Sequence, residues 1–146
     1  MIPTPLQEAT VAHALYRFVS AEAIALLLKI KREQILKIRC WAHVILVVGK
    51  GFSRFVSYAD LPPIVGVKPP TPQDYLRWRK RWQKNTYQAP EFWGAFYTQK
   101  LRQTRRFSQL HAWLRLIEAI KSLLPASAVR ELQSIYTQQN GYLLPA

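Results

Sequence analysis

Three histidines, one cysteine and eight carboxylates are the residues of this 146-residue chain that could serve acid–base, metal or nucleophilic chemistry. His13, His43 and His111 stand far apart and lack the spacing of a metal site. The carboxylates never pair as a nuclease requires, and there is no glycine-rich phosphate loop or nucleophile elbow. Cys40, alone, excludes an internal disulfide, fits a reducing compartment and reads as a small packing residue. The sequence therefore predicts no catalytic residue, no metal and no cofactor. Cationic side chains are what it has in excess. Lys and Arg number 21 against 8 Asp and Glu, a net charge of +13, and such a field on a small body favours polyanions.

Residues 1–66 carry 8 basic and 4 acidic residues, residues 67–146 carry 13 and 4. Nine of those bases lie between Arg77 and Arg106, with Glu91 the single acid among them. Three prolines in Val67-Lys68-Pro69-Pro70-Thr71-Pro72 force an extended joint. Two lobes are expected, 1–66 and 67–146. The apolar share of 49% is enough for a core. The longest apolar runs, Ala23–Leu28 and Val44–Val48, fall far short of the roughly 20 residues of a membrane helix. With no basic-then-apolar leader after Met1, the chain is expected in the cytoplasm, without a membrane partner.

The cations of the first lobe need elements to position them. Thr4, Pro5 and Gln7 carry the signature of a helix start, and the helix should run to about Phe18. Ser20 caps a second helix, Ala21–Leu28. A break at Lys29-Ile30-Lys31 leads to a third, about Arg32–Ala42, with Ile35, Ile38 and Ala42 as its apolar stripe. Lys31, Arg32, Gln34 and Lys37 would then belong to a recognition helix. Val44–Val48, the turn Gly49-Lys50-Gly51 and Phe52–Val56 read as a hairpin with Lys50 at its tip and Arg54 on its return. Helix, helix, hairpin is the order of a winged helix-turn-helix. The expected fold is mainly α with a small β-hairpin wing, followed by a compact helical lobe.

Residues 19–61 resemble the DNA-binding lobe of MerR-type transcriptional regulators, whose wing ends in an Arg-x-Tyr-Ser-x-x-Asp-Leu pattern. The corresponding run is Arg54-Phe55-Val56-Ser57-Tyr58-Ala59-Asp60-Leu61, and Val19–Ala25 stands where the family has its first helix. The resemblance implies that the Arg32–Ala42 helix reads the major groove and that Arg54 and the wing grip phosphate. The family's turn glycine is Lys29 here, its recognition-helix aromatics are Lys37 and Ile38, and its wing tyrosine is Val56.

In the second lobe, Thr71 or Gln73 opens a helix to Lys84. Tyr75, Trp78 and Trp82 line one face of it, and Arg77, Lys80, Arg81 and Lys84 the other. Further helices are expected from Pro90, from a cap at Ser108, and over Ala126–Gln138. Phe92, Trp93, Phe96 and Trp113 make apolar faces wide enough to pair with a second copy of the chain.

The sequence thus predicts a homodimeric regulator of transcription that binds double-stranded DNA at specific sites, acting as a repressor because it has no evident effector pocket or activation module. Its layout is similar to the small MerR-like repressors that accompany CRISPR-associated transposons. An excisionase-like DNA-bending factor and an RNA- or ribosome-associated basic protein are the alternatives.

Overall fold

Ser20 opens the first helix by accepting a hydrogen bond from the Ala23 amide at 3.2 Å, and α1 then runs over Ala21–Leu28, as its spacing predicts. It appears in a computed structural model that describes residues 13–84 and 89–143. The start predicted at Thr4 lies outside the described residues; where that helix should end, Tyr16–Phe18 form a single 3-10 turn. At the other end of α1, Lys29 adopts the left-handed conformation, φ 59°, that usually selects glycine. Its amide reaches Leu26 and that of Ile30 reaches Ala25, so the last carbonyls of the helix are satisfied.

The helix expected over Arg32–Ala42 does not form. Arg32–Gln34 make one 3-10 turn, and Ile35–Cys40 continue as strand β1. Apolar residues at positions 35 and 38 suit one face of a helix; in the strand they share a side only because the register shifts between Ile35 and Lys37, which sets Ile35 opposite Gly49 and Ile38 opposite Val47. Pairing decides: β1 lies antiparallel to β2 (Ile45–Gly49), with Ile38 opposite Val47 and Cys40 opposite Ile45. β2 pairs in turn with β3 (Phe52–Val56) through the tight turn Lys50-Gly51, where Gly51 supplies φ 82°. The hairpin is where the sequence puts it. The order is helix, strand, hairpin, so the helix-turn-helix half of the predicted wing arrangement is replaced by a three-stranded meander.

One side of this sheet is core. Ile45, Val47 and Val56 are buried on it, in the same unit as buried Leu15, Phe18, Ile24, Tyr58 and Leu61. Gly49 is required by closeness: a Cβ there would sit 2.1 Å from the Phe52 ring and 2.7 Å from the Gln34 carbonyl. After the proline joint, α2 (Pro72–Lys84) starts on a reciprocal cap, with Thr71 N–H donating to Asp74 at 2.9 Å and Asp74 N–H to the Thr71 hydroxyl at 3.3 Å. Trp78 is fully buried, its ring 6.0 Å from that of Phe18.

The remaining helices are α3 (Ala89–Gln103), α4 (Phe107–Ile120) and α5 (Ala126–Tyr142). α3 packs on both others around Leu101, Leu110, Ile117, Ile120, Leu132 and Ile135. α4 starts with Arg106 in the N-cap position, two residues ahead of the predicted Ser108, and α5 continues past Gln138. The chain is thus mainly helical with one small antiparallel sheet. It divides into two compact units, the first reaching to Pro62 and including Pro70–Arg81, the second taking Pro63–Pro69 and Trp82 onward. Among the described residues no helix is long and apolar enough to cross a membrane.

Candidate nucleic-acid interface

Strand alternation fixes which side chains share the solvent side of the sheet. Residues directly opposite in the ladder point the same way, so Arg39, Leu46 and Phe55 form one row. Lys37, Val48 and Ser53 form the next, and Trp41 follows Arg39 on the same side. Phe55 is 64% and Trp41 38% exposed, and their rings lie 5.9 Å apart, tilted by 54°. The Trp41 backbone is pinned at both groups: its N–H donates to the Val44 carbonyl at 3.0 Å, and its carbonyl accepts from the Tyr58 hydroxyl. The three strands contain no acidic residue.

A second cationic group stands at the end of the sheet. The Lys50 amide donates to the Gln34 carbonyl at 3.2 Å, and the Gln34 side chain accepts from the Lys31 amide at 2.8 Å. These bonds bring the hairpin tip against the Lys31–Gln34 turn, so that exposed Lys31, Arg32, Gln34 and Lys50 converge by a route other than a shared helix. Lys37 is on the solvent side of the sheet. Arg54 shares its row with Ile38 and Val47 on the opposite side and is exposed because β3 is an edge strand.

Two cations of α2, Arg77 and Arg81, have other engagements. Asp74, 1% exposed, holds Arg17 and accepts from Arg77 at 3.3 Å. Burial pushes its carboxyl up, but the Thr71 amide and the Arg17 guanidinium outweigh that and keep it below the ordinary carboxylate range. Arg81 stands 4.0 Å from Asp60, whose carboxyl burial raises in spite of that neighbour. Lys80 is exposed; Lys84 occupies the last position of α2, and its side chain is outside what is described.

The residues expected to pair two copies behave differently from one another. Trp93 and Phe96 are buried within the chain itself, the Trp93 ring edge-on to Trp82 at 4.8 Å. Trp113, half-buried, lies 6.1 Å from Phe96, and Phe92 is also half-buried. These aromatics largely fill their own unit's core.

Arg39, Trp41 and Phe55 are the members of the candidate site that sequence reasoning missed. Their signal was present: Lys37 and Arg39 alternate with Ile38 and Cys40, the two-residue period of a half-buried strand. Among the described residues no group of His, Cys, Asp or Glu is disposed to hold a metal ion. Comparison of the chain with protein-family models, with curated proteins and with solved structures finds no match.

Proposed function

We propose that this protein binds nucleic acid through the sheet of its first unit. The observation that carries the reading is an exposed sheet face with Lys37 and Arg39 on it and no acid in any of its strands, in a chain of net charge +13. The described residues of this unit hold twelve Lys or Arg against four Asp or Glu, and Lys31, Arg32 and Lys50, with Glu33 as the one acid of the turn, extend the positive surface. Phosphates supply most of the free energy in such contacts, through release of condensed counterions. With residues 35–40 in a strand, contact is made by sheet side chains and not by a helix laid in the major groove. Regulation of transcription is the finer form of this reading, since occupancy of a site is all that repression needs.

Fluorescence anisotropy of labelled DNA and RNA oligonucleotides, read between 50 and 200 mM salt, tests the proposal. Submicromolar binding that weakens steeply with salt is the expected result. Absence of binding to every nucleic acid at 50 mM salt would overturn it.

A further inference from the structure

We propose that the solvent side of the sheet is a stacking platform for single-stranded nucleic acid, an inference that rests on the nucleic-acid reading above and names its ligand class. Trp41 and Phe55 are exposed with their rings 5.9 Å apart and tilted by 54°, and Arg39 and Lys37 share their side of the sheet. Bases in a duplex keep their π-faces stacked on one another, so exposed aromatics have nothing to bind there. Unpaired bases offer those faces, and aromatic side chains on a sheet accept them without regard to sequence.

The rest of the face argues the same way. Reading a duplex groove takes hydrogen-bonding side chains that match base edges. Leu46, Val48, Phe55 and Trp41 offer almost none, leaving Lys37, Arg39 and Ser53 as the polar positions of these rows. A row spans two inter-strand gaps, about 10 Å, which accommodates two or three bases. Lys37 and Arg39 are placed to meet the phosphates joining them, and the Arg39 guanidinium can also lie against a base. The backbone hydrogen bonds of Trp41 hold its ring site in place before any ligand arrives.

The test uses the full chain with a labelled 12-mer of thymidylate, the matching uridylate, and a 20-base-pair duplex. The single strands should bind more tightly than the duplex. Phe55→Leu keeps an apolar side chain but removes the π-face, and should weaken single-strand binding by roughly 5–100-fold. Phe55→Tyr should retain it, and duplex affinity should change in neither variant. Thymidylate should quench tryptophan fluorescence, and Trp41→Phe should remove most of the quenching while largely preserving affinity. Because Phe55 is so exposed, thermal melts of both Phe55 variants should match the parent. Tighter duplex binding with no effect of Phe55→Leu would overturn the platform and leave the nucleic-acid reading standing. A dimer that Phe55→Leu disperses, with single-strand affinity unchanged, would assign the face to a second copy instead. No binding to any of the three would overturn both readings.

Discussion

Arg17 and Asp74, 57 positions apart in the chain, form an ion pair whose carboxylate is almost wholly shielded from water. Asp74 also caps its own helix through Thr71 and holds Arg77, so one side chain joins the segment before α1 to the start of α2. Taking a carboxylate out of water is costly, and here the cost is met by several donors at once. Such an arrangement is sensitive to loss of the acceptor, because the donors were placed for it.

Asp74→Asn is therefore expected to destabilise the protein by about 2–3 kcal/mol at pH 7, combining a lost ion pair with a weakened cap. The carboxyl is held below its ordinary value, so the folded form favours the ionised state. Its contribution is complete above the unfolded value of about 3.9 and is lost as pH falls through the lower folded value. Urea melts of parent and variant should differ at pH 7 and converge near the acid end. An equal difference at both ends would show that charge is not what Asp74 supplies.

His13 gives a second, milder pH dependence. Its ring stacks on Tyr58 at 4.7 Å, and its Nδ1 accepts the Leu15 amide at 3.0 Å. Burial, and then the nearby Arg77 and His43, push its pKa below 6.5, with Asp74 opposing. The unfolded chain then binds the proton more readily, so stability is full above about pH 6.5 and declines as the medium is acidified through that value. Denaturation midpoints at pH 7.5 and 5.5 should show the decline, and His13→Gln should reduce it. An unchanged pH response in the variant would place the titrating group elsewhere.

At the hairpin, the prediction is steric. In Gly49→Ala the new methyl would meet both the Phe52 ring and the Gln34 carbonyl, and only the ring can move. A cost of about 1–3 kcal/mol is expected, in the range of overpacked sites. Adding Phe52→Ala should recover little, because the carbonyl contact persists and the ring that covered the glycine is gone. Full recovery in the double variant, by thermal melt, would mean that the ring alone requires glycine at position 49.

Much of this architecture is legible in residue order, and the part that is not has one cause. Ser20 before an apolar helix, Thr71-Pro72 with Asp74 following, and Gly49-Lys50-Gly51 between β-branched runs are local signals, and each produces its element. Ile35–Cys40 carries two periods at once, and only the ladder to β2, a nonlocal interaction, selects the strand. The error then propagates to the site. Reading residues 32–42 as a helix places Lys37 on a recognition surface but conceals that Arg39 and Trp41 share its face with Phe55 from β3. Similarly, Arg77 and Arg81 look equivalent to Lys80 in the sequence, and only tertiary placement puts Asp74 and Asp60 beside them.

Each phosphate contact contributes about 0.7 to the slope of log affinity against log salt for a single strand, and about 0.9 for B-form DNA. Lys50 and Arg54 are exposed, and among the described residues no ion pair holds either. If both meet phosphate, replacing the pair with alanine should flatten the slope by about 1.4 for a single strand or 1.8 for a duplex. Arg77 and Arg81 are drawn toward Asp74 and Asp60, so Arg77→Ala and Arg81→Ala should leave the slope nearly unchanged and act on stability instead. Affinities measured at 50, 100 and 200 mM salt, beside urea melts of the same variants, separate these effects. A slope that responds to Arg77 as strongly as to Lys50 would extend the interface along α2, and a slope indifferent to Lys50 and Arg54 would confine it to the sheet face around Lys37 and Arg39.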